Sequence, residues 1–263
     1  MSLRHRLYAG EILIIPRSRA SDRLCRITEE ILCREFGTPD LSKHFTPMSP
    51  AALQAALDRG RSLVYSNESV VAAAWELIAS LGQEPCEYRM DPPRLRIVLP
   101  ATNAATWQQS NLHRDVWYAE PGNQINLWLP LCNTAVQALG IWPHYFKNPI
   151  KNSSQLLDRQ QWEQDAASGR IEYPEALQCP VGRYKSFDLE RSEVLAFSAN
   201  HLHCTLANRM PLPRISIDFR TVHVSDYFLG LGPAMPDNRS RGTTFARMLE
   251  YSTNTGSSEP LRK

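Results

Sequence analysis

From Asn123 to Leu131 the chain reads Asn-Gln-Ile-Asn-Leu-Trp-Leu-Pro-Leu. Ile125, Leu127, Leu129 and Leu131 occupy every second position, with Gln124, Asn126, Trp128 and Pro130 between them. In an extended strand successive side chains point to opposite faces, so this run has one face to bury and one that looks into something polar. Arg214 to Arg220 repeats the design, setting Ile215, Ile217 and Phe219 against Arg214, Ser216, Asp218 and Arg220, and Arg94 to Leu99 alternates charged with apolar residues. A parallel sheet covered by helices makes its strands apolar on both faces, which these strands are not. The pattern predicts a mainly β fold with flanking helices, a barrel or double-sheet jelly roll whose polar inner faces share one cavity.

The first third follows a different period. Ile12 to Ile15 reads as a short strand ended by Pro16. Leu24, Ile27, Ile31 and Leu32 then recur at helical spacing, with Ser21 and Asp22 as N-cap oxygens and Gly37 with Pro39 as a stop. Pro50 to Leu57 and Glu68 to Leu81 are further helical candidates, the second closed by Gly82. Residues 1–90 are therefore expected to be mainly helical and to pack on a jelly-roll core over 94–224. Within the core, 147–182 is a polar insertion with a short helix around Trp162, read as a lid or binding loop. Residues 225–263 should form loop, a closing helix over Thr243 to Tyr251 and a mobile tail. A chain of 263 residues holds all this as a single domain.

Composition removes several classes of function. Hydrophobic residues make up 43% and charged residues 21%, the balance of a folded globule. A net charge of +2 without a concentrated basic stripe argues against nucleic acid as a partner. No window approaches the ~20 apolar residues of a membrane span, and no charged segment leads into an apolar signal stretch. Six scattered cysteines without a Cys-x-x-Cys pair fit reduced thiols, so a soluble cytoplasmic protein is expected.

Ahead of the Asn123 strand stand His113 and Asp115. Two apart in extended chain, they project the same way and can grip one metal ion. A third ligand is expected from a late strand, where His201 and His203 are both candidates. Two imidazoles and one carboxylate suit a borderline divalent ion and leave coordination positions open, as in non-haem Fe(II) oxygenases.

In this order the residues resemble the phytanoyl-CoA dioxygenase-like branch of the Fe(II)- and 2-oxoglutarate-dependent oxygenases. The resemblance covers roughly Arg94 to Val224 and implies a cupin-like double-stranded β-helix. It rests on His113 and Asp115, a distal His203, and Arg214 eleven positions later. It implies that His113, Asp115 and His203 hold Fe(II), and that Arg214 binds the far carboxylate of 2-oxoglutarate with help from Thr205 and Ser216. Asn208 matches an Asn common in the same turn. A guanidinium fork and hydroxyl donors are also what a buried dicarboxylate needs on physical grounds. The implied reaction consumes O2 and 2-oxoglutarate, releases succinate and CO2, and oxidises a small molecule. A true carboxylate at Asp115 sets the chain apart from halogenating variants, which carry a small residue there.

His113 to Tyr118 and Gln124 to Pro130 are also similar to oxygenase-like proteins of aminoglycoside antibiotic pathways, which implies a specialised-metabolite substrate. Trp117, Tyr118, Trp128 and Asn126 are candidate substrate contacts, together with Trp107, Gln108 and Gln109, although large aromatics on strands equally suit a core. Two other readings stay open: a cupin-like metal-dependent isomerase or oxygenase that does not use 2-oxoglutarate, and a non-catalytic metabolite-binding barrel.

Overall fold

The computed structural model describes residues 1–41, 50–100, 110–132, 138–167 and 173–252. Among these, the strands form two antiparallel sheets. The larger runs in the order β1 (Leu13–Ile15), β7 (Val194–Ser198), β5 (Ile125–Cys132), β9 (Arg214–His223), β2 (Tyr88–Met90) and β10 (Leu249–Glu250), with β3 (Arg94–Val98) also paired to β9. The smaller is β4 (Ser110–His113), β8 (Leu202–Thr205) and β6 (Leu139–Trp142). The two alternating runs lie side by side, Leu127 opposite Phe219 and Asn126 opposite Arg220.

That register puts the alternating aliphatic residues of the first run and the apolar residues of the second on one face. Ile125, Leu127, Leu129, Leu131, Ile215, Ile217 and Phe219 are buried in the main core. The helices α2 (Arg19–Phe36), α3 (Pro50–Tyr65) and α4 (Glu68–Ser80) supply the other side of that core through residues such as Leu24, Leu32, Leu57 and Leu77. Each such side chain contributes about 1.5–3 kcal/mol on burial, so a one-residue slip of β5 or β9 would expose several at once. The opposite face carries Asn126, Ser216 and Arg220, all buried although polar. On the smaller sheet Leu202 and Cys204 face a second apolar cluster, which leaves His203 and Thr205 turned inward.

Local chemistry sets the helix ends. α2 starts two residues before the expected cap: Ser18 is the N-cap, and Ser21 completes a reciprocal capping box with it. Gly37 ends the helix in the left-handed region, φ 62°. α4 is capped by Asn67, and α3 continues beyond Leu57 to Tyr65. The insertion has its expected helix, α5 (Arg159–Ala167), which carries Trp162.

The closing helix over Thr243 to Tyr251 does not form. A 3-10 turn, Phe245–Arg247, leads instead into β10, which pairs with β2 in the register Leu249↔Met90. A bare sheet edge and an apolar patch at Val222 are both covered this way, since Phe245 and Met248 pack on Val222. Two short helices, α1 (Leu3–Tyr8) and α6 (Val224–Phe228), fall outside the expected set. No described helix is long and apolar enough to cross a membrane.

Candidate metal centre

His113 and His203 are cross-strand partners on β4 and β8, and their ring centroids lie 4.4 Å apart. β4 ends at His113, so the His-x-Asp is not one continuous strand. Arg114 remains extended, at φ −112° and ψ 141°, and Asp115 opens a 3-10 turn (Asp115–Tyr118) with its N–H donating to the Ala199 carbonyl at 3.0 Å. One extended residue suffices to keep His113 and Asp115 on the same side. Potential ligand atoms of His113, Asp115 and His203 all lie within 4.8 Å of one another. Asp115 Oδ1 stands 3.4 Å from His113 Nε2 and 4.0 Å from His203 Nε2.

The two carboxylate oxygens have different surroundings. Oδ2 accepts a short hydrogen bond from Asn126 Nδ2. Oδ1 is buried with no hydrogen-bond partner among the described residues, a costly state that a bound cation would relieve. Arg220 Nη2 lies 3.7 Å from the same oxygen. Burial opposes the charge on Asp115, but Arg220 and the two histidines outweigh it and hold the carboxyl well below its usual range. His203 Nδ1 donates to the His201 carbonyl at 2.9 Å, which leaves the Nε2 lone pair toward Asp115. Burial, and next to it His113, lowers His203 to about 4, so its imidazole is neutral at pH 7, the form a metal requires. Two imidazoles, one ionised carboxylate and an orphaned oxygen together fit a divalent ion.

Of the two candidate histidines on the late strand, the structure brings only His203 to the site. His201 is fully buried, with Nδ1 against the Ser198 carbonyl and Nε2 against that of Gly10, each at 3.2 Å.

The expected cosubstrate residues lie on β8, β9 and the turn between them. Arg214 is buried at the start of β9, opposite Val98, and donates to the Leu206 carbonyl at 2.6 Å. Among the described residues it has no carboxylate partner, and burial alone brings its guanidinium down to about 10. Thr205, two past His203, borders a cavity of about 560 Å³ shared with β3. Ser216 is buried between Pro130 and Arg96 of the neighbouring strands. Asn208 closes the intervening turn through the Val98 and Leu212 carbonyls.

The four suggested substrate contacts divide. Tyr118 stacks on His113 at 4.9 Å and borders a second cavity. Asn126 instead supports a ligand, through Asp115. Trp117 is wholly enclosed in the second apolar cluster and donates Nε1 to Asp237 at 2.9 Å, so its ring is structural. Trp128 packs with Leu139, Ile141 and Phe197 in a third cluster. Trp107, Gln108 and Gln109 lie outside the described residues.

Two charged residues near the ligands had no assigned role in the sequence. Arg220 reaches Asp91 at 2.9 Å as well as Asp115. Its only sequence signal was a place on the polar face of the β9 run. Arg114, between the two ligands, is fully buried and binds Asp237 Oδ2 at 3.1–3.2 Å and the Tyr145 and Asn148 carbonyls at 2.7 and 2.8 Å. Asp237 stands 123 residues away, so no local pattern joins the pair.

No protein-family model and no curated protein matches the chain. Solved structures do. The crystal structure of EvdO2 from Micromonospora carbonacea var. aurantiaca aligns with a TM-score of 0.51 at 14% identity, over 83% of this chain and 88% of that one. EvdO2 complexed with 2-oxoglutarate gives 0.50 at 13% identity over the same shares. The apo form of ThoJ, a non-heme monooxygenase, gives 0.51 at 11% identity, over 84% of this chain and 77% of that one. The chain shares their fold. The expected mainly β fold with flanking helices is thus the observed one, and His113 and His203 of the smaller sheet meet Asp115 of the turn that follows β4.

Proposed function

We propose that the protein is an Fe(II)- and 2-oxoglutarate-dependent dioxygenase that hydroxylates a small molecule of specialised metabolism, releasing succinate and CO2. The carrying observation is the convergence of His113, Asp115 and His203 on the unpartnered Asp115 Oδ1. The buried Arg214 supports it: a guanidinium that donates to the Leu206 carbonyl and has no carboxylate partner among the described residues is suited to a dicarboxylate. EvdO2, whose fold this chain shares, has been crystallised with 2-oxoglutarate.

In this reading His113, Asp115 and His203 hold the iron on one face and leave its other positions open. When bound, the iron supplies activation of O2 coupled to oxidative decarboxylation of 2-oxoglutarate. The chain's own residues orient and insulate. Asn126 fixes Asp115, and the His201 carbonyl fixes the ring of His203. Arg214 takes the distal carboxylate of 2-oxoglutarate, with the hydroxyls of Thr205 and Ser216 completing its hydrogen bonds. The open cysteines Cys86 and Cys179 are unpaired thiols, in keeping with a cytoplasmic enzyme.

The test is anaerobic addition of Fe(II) and 2-oxoglutarate to the native chain and to Arg214→Ala. A weak visible charge-transfer band is expected in the native protein, with 2-oxoglutarate affinity lowered about 100-fold in the variant, as for loss of a charge-assisted fork. A native protein that binds iron but shows no band is instead a cupin-like enzyme that works without 2-oxoglutarate.

A further inference from the structure

A cavity of about 220 Å³, lined in part by the insertion, is separated from the candidate metal ligands by one layer of side chains. His113 is the most accessible of the three ligands, with 18% of its side chain exposed against 9% for His203 and 1% for Asp115. Access to the centre is therefore from the His113 side, where Tyr118 stacks on its ring and also borders the cavity. A second line of contact joins the two: Asp91, on the cavity wall, binds Arg220, which touches Asp115.

The wall has two kinds of surface. One is aromatic: Tyr173 meets Tyr118 edge-on at 5.8 Å and 73°, and Trp162 lies 5.9 Å from Tyr173 at 59°. These rings form a corner, not a parallel slot, so they suit the C–H faces of a puckered ring better than a flat one sandwiched between two planes. The other surface mixes signs, with Asp91 paired to Arg94 at 3.0 Å, Glu120 bound by the Thr244 hydroxyl, and Arg159 over Trp162. A strongly anionic ligand would meet Asp91 and Glu120, and a polycation would meet the arginines. A hydroxyl both donates and accepts, so it matches carboxylate and guanidinium alike. The indole Nε1 of Trp162 is buried without a hydrogen-bond partner among the described residues, and the Trp162 side chain belongs to the cavity wall. It is a donor in need of a neutral oxygen.

We propose that this cleft, built by the insertion and the segment around Thr244, binds the substrate as a neutral, hydroxyl-rich ring, a cyclic polyol or glycoside. Its ring face lies on Tyr173 and Trp162, and its hydroxyls reach Glu120, Arg94 and the Trp162 indole. The proposal rests on the dioxygenase reading, because it makes the cleft the approach to the iron.

The experiment is saturation-transfer NMR on the full chain with Mn(II)-free buffer and 2-oxoglutarate, using methyl glycosides and cyclitols as probes beside a long-chain acyl-CoA and a planar aromatic acid. Transfer is expected to the neutral polyols. Trp162→Phe, which keeps a ring but deletes the N–H, should weaken their binding about fivefold, and Trp162→Ala about tenfold or more. Both variants should keep the native charge-transfer band with Fe(II) and 2-oxoglutarate. Transfer to acyl-CoA or the aromatic acid but not to polyols overturns the proposal, as does the absence of any polyol signal or one untouched by both substitutions. Loss of the band in the native chain with polyol transfer intact would instead overturn the dioxygenase reading and leave the cleft standing.

Discussion

At Asp115 one oxygen is held by Asn126 and the other is left for a cation, so Asn126 should govern metal affinity without being a ligand. Asn126→Ala is expected to weaken divalent-metal binding about 10- to 100-fold with the fold intact, read by calorimetry beside circular dichroism. His201 makes a different prediction. Burial lowers it to about 4, against the pull of the Ser198 and Gly10 carbonyls. Its unfolded value is about 6.5, so between the two the unfolded chain binds more protons. The stabilisation is complete above pH 6.5 and is lost as pH falls toward 4, by up to roughly 3 kcal/mol. Urea denaturation across that range should show the slope, and His201→Asn should reduce it, the remainder coming from His203, which burial lowers to the same value. The candidate ligands His113, Asp115 and His203, which the structure brings together, were legible in the sequence because ligand chemistry admits few residue types. The supporting roles of Asn126 and Arg220 were not, since amides and arginines on a polar strand face look alike until a neighbour is placed beside them.

Among the elements, the loop that carries Asp237 is pinned to the strand end that carries the ligands. Asp237 accepts from Arg114, from Trp117 Nε1 and from the Ile150 N–H at 2.9 Å. Asp237→Ala would leave the Arg114 guanidinium buried and without its carboxylate. A loss of about 3–5 kcal/mol is expected in urea unfolding, with weaker metal binding because Arg114 lies between His113 and Asp115. A double variant replacing both Arg114 and Asp237 by apolar residues should recover part of that loss. Periodicity located the long strands and α4 closely, because burial of one face fixes their phase. It failed at Thr243 to Tyr251, where a helical pattern is overridden by the free edge of β2. Helix propensity is a weak preference beside a ladder of backbone hydrogen bonds.

For the molecule as a whole, a centre preformed in the folded state but scattered in the unfolded one couples metal to stability. His113 and His203, 90 residues apart in the chain, are brought together by strand pairing between β4 and β8. At a free divalent-metal concentration 100 times the dissociation constant, stability should rise by about 2.7 kcal/mol. Thermal melts with and without chelator measure this, and Asp115→Ala should melt at one temperature in both.

The sequence by itself determined the layered β architecture and the chemistry of the candidate ligand set in outline: period-two alternation buries one face of each strand, and His, Asp and Arg are residue types able to hold a metal and a dicarboxylate. The tertiary structure supplied the physical ground for His203, which the resemblance already favoured: His201 is held between the Ser198 and Gly10 carbonyls, whereas His203 faces Asp115. It also withdrew Trp117 into the core and left Tyr118 against His113. Those outcomes depend on contacts between segments far apart in the chain, and no local pattern of residues encodes a distance between them.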